Sequence, residues 1–417
     1  MSEIKRLIGK LCPDGVEYKK LGEICEIKGR IGFRGYTRQD LVEESEGAIS
    51  LSPSNIINDE LKYDKCTYVS WAKYEESPEI MANVGDIVFT KTASVGKTAL
   101  IKWLPKEATI NPQLVLLKDI VCNNAYLSYV LKGTKFQNDV RKITGVGSVP
   151  NVPQSSLANI EIPVPPLEVQ RKIVEILDNF TELEAELEAE LEARRKQYEY
   201  YRNQLLTFDK VGGAKIDVKW MKMGEICYSI KDGMHNLPKT ARVGVGEIPV
   251  LSAQNINDGI DYVAKRYVDL ETYETENKRT NVEINDILLT IVASIGRSAV
   301  VKESRKFLLQ RSVCVLKPKD LVVPQFIKHY LDTTKMQMYM QSNAHGSAQA
   351  GLYLNQVADM IIPIPPLFEQ HRIVSILDRF EALTTDLQSG LPAEIEARRK
   401  QYEYYREKLL TFKRKAS

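Results

Sequence analysis

The chain has 417 residues, 57 Lys and Arg against 55 Asp and Glu, and a formal net charge of +2. So weak a field excludes capture of nucleic acid by global charge, and any such face must come from local arrangement. No apolar run approaches the ~20 residues that span a bilayer, MSEIKRLIGK at the N-terminus lacks a signal-peptide core, and the six cysteines include no CxxC, so reduced cysteines, a cytoplasmic location and no membrane partner are expected.

Residues 1–160 read as a mixed α/β domain: β-branched runs such as GDIVFT and LVLLK lie between turns and precede a helical YLSYVLKGTKFQNDV. Residues 161–210 open on a Pro-rich elbow at Pro165 and Pro166 and continue as one long helix. Its apolar residues Ile173, Ile176, Phe180, Leu183, Leu187, Leu191, Tyr198, Tyr201, Leu205 and Phe208 fall mostly three or four apart, which is a helix stripe. Residues 211–360 repeat the first domain faintly: KKLGEIC at Lys19 answers MKMGEIC at Met221, Asn55 answers Asn255, and TKFQ at Thr134 answers TKMQ at Thr334. The two asparagines read as turn or hydrogen-bonding residues. Residues 361–417 repeat the elbow and helix closely.

That last likeness organises the whole chain. ARRKQYEYYR stands at Ala193–Arg202 and again at Ala397–Arg406, IPVPPLEVQRKIVEILDNF from Ile162 answers IPIPPLFEQHRIVSILDRF from Ile362, and both copies close on LLTF. The chain is therefore two copies of one unit. Between them the domains have diverged far more than the helices, which suits two different readings made with one geometry. The first helix precedes the second domain, so the second helix must return along it as an antiparallel pair with approximate internal twofold symmetry. The arms are unequal: LEAELEAELEA in the first is a stutter in the seam, whereas Gly390 and Pro392 predict a break in the second.

This order of domain, PPLxxQ elbow, long helix, domain, elbow and helix resembles the specificity subunit of type I restriction-modification systems over the whole chain. The first elbow departs from the usual PPLxEQ by reading PPLEVQ, so Glu168 stands one place before the counterpart of Glu369. The resemblance implies an α/β fold (mixed α+β) with two target recognition domains separated by two long helices in an antiparallel coiled coil. Each domain would read one half of a bipartite site in double-stranded DNA. Two modification (methyltransferase) subunits would dock on the helical regions, and restriction subunits would add ATP-driven translocation and cleavage. S-adenosylmethionine, ATP and Mg would then belong to those partners, with no cofactor bound by this chain.

The residues agree with a non-catalytic chain. SVGKT at Ser94 ends like a phosphate loop but has Lys91 where the motif needs Gly, and the second copy puts Arg297 in place of Lys97. INPQL at Ile110 lacks the aromatic of an adenine methyltransferase motif. The four histidines have no ligand spacing, so no metal site is expected. The alternatives are a self-contained methyltransferase or nuclease, and a coiled-coil scaffold that never touches DNA; the missing cofactor motifs oppose the first and the large diverged domains the second.

Local basic density is the strongest DNA-binding signal. Lys91, Lys97 and Lys102 in the first copy, and Arg297, Lys302, Arg305 and Arg311 in the second, suit phosphate contacts. Ser94 and Ser294 are small enough for close backbone approach. Gly147 with Ser148, and Gly346 with Ser347, mark loops free to reach a groove. The alternatives for these segments are a β-hairpin with solvated lysines and plain connectors. The docking candidates are the elbow glutamines Gln170 and Gln370 and the block residues Arg194, Arg195, Tyr198, Tyr201, Arg398, Arg399, Tyr402 and Tyr405, because near-identity of the two blocks exceeds what an internal seam requires.

Overall fold

The computed structural model describes residues 2–30, 35–145, 147–208, 217–244, 246–257, 259–346, 350–385 and 390–415. The chain divides into two compact units, Met1–Glu186 with Glu396–Ser417, and Leu187–Ile395. The division falls inside the helices rather than at residues 160, 210 and 360, because each unit also holds the closing end of the other copy's helix. It is a mixed α+β fold throughout.

In unit 1, α1 (Ser2–Leu11) precedes strands β1 (Tyr18–Lys20), β2 (Glu26–Gly29), β3 (Leu41–Val42), β4 (Gly47–Leu51), β5 (Thr67–Ser70), β6 (Ile87–Thr90), β7 (Thr98–Leu100), β8 (Ala108–Ile110) and β9 (Leu114–Lys118). Helices α2 (Asn124–Lys132) and α3 (Thr134–Ile143), strand β10 (Glu161–Pro163) and helix α4 (Leu167–Leu205) follow. One sheet has the order β2-β9-β6-β7 and is antiparallel; a second has the order β8-β4-β5-β3, with β8 and β4 parallel. The first sheet is buried on both faces, as continuous apolar strands require. Ile87, Phe89, Val115 and Leu117 pack against α2, α3 and α4, while Val88, Leu114 and Leu116 pack against Ile49, Leu51 and Ile110 of the second sheet.

Unit 2 repeats this topology with β11 (Lys219–Lys222), β12 (Cys227–Asp232), β13 (Arg242–Val243), β14 (Ile248–Leu251), β15 (Arg266–Val268), β16 (Ile287–Thr290), β17 (Ser298–Val300), β18 (Leu308–Leu309) and β19 (Val313–Pro318). Then come α5 (Pro324–Leu331), α6 (Thr334–Ser342), β20 (Ile361–Ile364) and α7 (Leu367–Thr385). Its sheets run β12-β19-β16-β17 and β13-β15-β14-β18, matching unit 1 strand for strand.

Helix α4 is continuous over 39 residues, about 58 Å at the α-helical rise. In the second arm α7 is described as far as Thr385, and α8 (Leu391–Leu410) starts afresh at Gly390, a non-helical residue whose carbonyl accepts from Ala393 N and Glu394 N at 3.0 and 3.2 Å. The break expected at Gly390 and Pro392 is therefore present. Within each unit the helices meet antiparallel. In unit 1, Phe180 stacks on Tyr405 at 5.4 Å and Arg399 Nε reaches Glu184 at 2.6 Å. In unit 2, Tyr201 stacks on Phe380 at 5.5 Å. The LLTF ends are plugs: Leu409 and Phe412 enter the core of unit 1, and Leu206 and Phe208 that of unit 2.

The elbow glutamines hold each α/β domain to its own helix. Gln170 Oε1 accepts from Asn123 N at 2.8 Å and its Nε2 donates to Pro165 O at 2.7 Å; Gln370 repeats this with Val323 N at 2.8 Å and Pro365 O at 2.8 Å. They are 3% and 0% exposed, so neither offers anything to a partner subunit and both leave the docking set. The elbow departure is internal as well: Val169 is buried in the core, whereas Glu369 at the same place bonds Arg372 at 2.6 Å.

Candidate nucleic-acid interface

In each unit a β-hairpin carries one group of candidates at its tip. In unit 1, β6 and β7 pair from Ile87↔Leu100 to Phe89↔Thr98, Thr90 N donates to Lys97 O at 2.9 Å, and Lys91 to Gly96 form the loop. The matching loop of unit 2 runs from Ile291 to Gly296 and closes on the same bond, Thr290 N to Arg297 O at 2.9 Å. Both loops turn through the left-handed region twice, at Ala93 (φ 66°) and Gly96 (φ 95°), and at Ala293 (φ 68°) and Gly296 (φ 93°). For Ala that conformation costs about 1 kcal/mol or more, so the tip is a specified shape.

Tertiary structure lays the other candidate loop alongside this tip. Ala93 N donates to Pro150 O at 2.9 Å, Val152 N to Lys91 O at 2.8 Å, and Thr92 Oγ1 to Asn151 Oδ1 at 2.8 Å. Gly145 N closes the second loop on Asn151 O at 2.9 Å. Unit 2 repeats the ladder through Ala293 N to Ala350 O at 3.2 Å, Leu352 N to Ile291 O at 2.8 Å and a two-way bond between His345 and Gly351. Lys91, Ser94, Lys97, Gly147 and Ser148 thus share one end of unit 1, and Ser294, Arg297 and Gly346 one end of unit 2. Arg311 joins the second group, since Ile291 N bonds Ser312 O at 2.9 Å. Ser347 lies outside the described residues.

Lys102, Lys302 and Arg305 do not join them. The returning strands β7 and β17 carry the chain away from the tip, so Lys102 and Lys302 lie beyond the far end of the hairpin. Lys102 pairs with Glu60 at 3.8 Å, Arg305 pairs with Glu303 at 2.7 Å and covers the Tyr262 ring at 4.7 Å, and Lys302 lines a small cavity with Lys328, Asp378 and Glu381. The basic stretch read from sequence is two surfaces. Lys102 and Arg305 are paired with carboxylates, whereas among the described residues Lys91, Lys97, Arg297 and Arg311 form no ion pair. Lys97, Arg297 and Arg311 are exposed, and burial pushes the half-buried Lys91 ammonium below its usual value. Unneutralised cations on a shaped loop suit an anionic backbone.

Of the tyrosines in the repeated block, Tyr198, Tyr402 and Tyr405 point inward. Tyr198 OH meets His329 Nδ1 at 3.1 Å, Tyr402 and Tyr405 lie against Phe180, and the Arg202 and Arg406 guanidinium groups cover the Tyr198 and Tyr402 rings, each at 5.4 Å. Arg194 is held by Glu190 at 2.7 Å, Arg398 by Gln401 at 3.2 Å, and Arg399 by Glu184; Arg195 is exposed. Tyr198, Tyr402 and Tyr405 are therefore seam residues, because the stripe that closes each helix pair needs them, whereas Tyr201 stacks on Phe380 at the edge of the seam and is 40% exposed. The tyrosines that do face outward are Tyr200 and Tyr404, 61% and 58% exposed.

His329, Asp378 and Glu381 bring three donor atoms within 4.8 Å. Lys328 already pairs with Glu381 and lies 3.2 Å from Asp332, and Asp378 Oδ1 is 2.7 Å from His329 Nε2, so the cluster is an ion-pair network that carries its own cation. Asn55 and Asn255 behave as turn residues: each side-chain carbonyl accepts from the nearby serine N, at 2.9 and 3.0 Å, and each amide bonds two loop carbonyls. What sequence reasoning missed is Gln137 and Gln337, which bond the tip loops. The TKFQ and TKMQ match was their only signal.

A sequence profile described as type I restriction modification DNA specificity domain matches twice, over residues 13–193 and 215–397. S.HindORF215P of Haemophilus influenzae, assigned as a type I restriction enzyme specificity subunit, is 36% identical over 274 residues, 62% of this chain and 66% of that protein. The EcoR124I/EcoR124II specificity subunit of Escherichia coli is 33% identical over 269 residues, 62% of this chain and 65% of its own length. The matched stretch thus spans just under two thirds of either relative. A chain from a solved type I R-M system, a study of complex assembly and conformational transition, shares the fold with a TM-score of 0.66 at 16% identity, over 95% of this chain and 97% of that one.

Proposed function

Because the chain belongs to the type I restriction-modification DNA specificity family, we propose that it is the non-catalytic, sequence-specific DNA-binding subunit of such a complex, each domain reading one half of a bipartite site. In this reading two methyltransferase subunits dock on the helical regions, and restriction subunits add translocation and cleavage. S-adenosylmethionine, ATP and Mg are used by those partners in the cytoplasm. No described helix is long and apolar enough to cross a membrane.

The observation that carries the proposal is the pair of matching tips. Each unit presents a shaped hairpin loop zipped to a second loop, with exposed cations that no carboxylate neutralises. Phosphate contacts from Lys97 and Arg297 would set the register, and neighbouring side chains would read base edges. The tips differ in composition while their frame is shared, which suits two unlike half-sites. Replacing residues 211–360 with the same region of a relative is expected to change one half of the methylated motif and leave the other intact. Mapping methylated adenines before and after the exchange tests this; a change in both halves would sink the two-reader model.

A further inference from the structure

We propose that Gln137 and Gln337 are positioning residues that set the shape of the two reading tips from behind, without touching DNA. The inference rests on the reading of the tips as DNA contacts. Gln137 Nε2 donates to Gly96 O at 2.9 Å and to Leu131 O at 2.6 Å. Gln337 Nε2 donates to Gly296 O at 2.8 Å and to Leu331 O at 2.9 Å. One amide thus bridges a carbonyl of the tip and a carbonyl in the last turn of α2 or α5, where helix carbonyls have no partner of their own. The side chain lies on the inner side of the loop and is half-buried in both units.

The fit is mutual. A Cβ on Gly96 would stand 2.5 Å from Gln137 Oε1, and one on Gly296 2.6 Å from Gln337 Oε1. Both glycines are in the left-handed region, which favours glycine, and a Cβ there would displace the glutamine amide. The glutamine amide supplies two donors at this reach without adding charge. A glutamate of the same shape offers acceptors alone and would face two carbonyl oxygens. The outer side of each tip is held by the ladder to the neighbouring loop, so loss of the glutamine loosens the inner side of a strained loop, where in unit 2 Gln341 Nε2 still donates to Ile295 O at 3.3 Å, while the hairpin strands stay paired. The same bridge recurs at a shift of 200 residues in domains that otherwise share little sequence, which is what a device serving both readers would look like.

The test uses the complete chain in its assembled modification complex and reads methylation at every site in a random DNA pool. Gln137→Glu is expected to cost about tenfold or more in discrimination at one half-site and nothing at the other; Gln337→Glu should do the converse. Gly96→Ala presses on the same joint from the loop side and should reproduce the one-sided loss. A residue that merely supports the fold would instead lower methylation of all sites together. Uniform loss, or no change from any of the three variants, overturns the proposal. Lys97→Ala and Arg297→Ala separate the two levels. If they weaken DNA binding while the glutamine variants are silent, only the positioning role fails. If they too leave binding unchanged at every salt concentration, the tips are not the DNA contact.

Discussion

The joint between helix and domain is built twice, and its polar content differs. In unit 2, α5 meets α7 through charge: Lys328, which also pairs with Asp332 at the end of its own helix, bonds Glu381, and buried His329 lies between Tyr198 and Asp378. In unit 1 the same places hold Ser128, Tyr129, Lys132 and Thr181, and the polar links run through the Tyr129 hydroxyl, which meets Asp178 at 2.5 Å and also Thr181. Beneath both lies the same apolar ground, with Ile173 and Leu177 answered by Ile373 and Leu377, all 1% exposed or less. Docking geometry therefore follows from the apolar seam, and buried polar pairs can be exchanged around it provided each stays satisfied.

Three experiments press on that comparison, in order of expected effect. Leu177→Ala and Leu377→Ala should each cost about 2–5 kcal/mol, since both remove a fully buried side chain from a packed seam. Hydrogen exchange, resolved by unit, should report similar losses; a much smaller loss in unit 2 would mean that its ion pairs carry the joint instead.

Next come the acceptors. Asp378→Ala strands a buried imidazole and Asp178→Ala a phenol, at about 1–3 kcal/mol each. The first should leave a signature in acid. Burial pushes the Asp378 carboxyl up, but its bond to His329 and the charges of His329, Lys302 and Lys328 outweigh this and hold it below its ordinary value of 3.8. A carboxyl lowered in the fold stabilises it above the unfolded value, and that contribution disappears as pH falls through the folded one. Exchange protection of α5 should accordingly drop below pH 3.8 in the native chain and flatten in Asp378→Asn; the same acid profile in both would refute the assignment.

The smallest effects belong to the swapped helix ends. Thr134 N is capped by Glu407 Oε1 at 2.9 Å in unit 1, and Thr334 N by Asn203 Oδ1 at 3.1 Å in unit 2. Removing either cap with Ala should cost about 0.5–2 kcal/mol. Salt should weaken the charged cap and spare the neutral one, so equal salt dependence in exchange at α3 and α6 would show that charge plays no part.

Repetition, helix periodicity and chain breakers act through neighbours in sequence, so the residues alone determined the duplication, the two long helical arms and the interruption at Gly390. Tertiary structure decided what lies beside what. The bonds from Ala93 to Pro150 and from Gln137 to Gly96 join segments about 40 to 60 residues apart, and no local preference encodes them. Lys102 left the tip group because an antiparallel strand reverses direction. Gln170 and Tyr198 proved internal because a repeated residue can serve a repeated seam as readily as a repeated partner. The direction in which each side chain points follows from the packing that surrounds it, and that packing exists only once both helices have reached the domains they close.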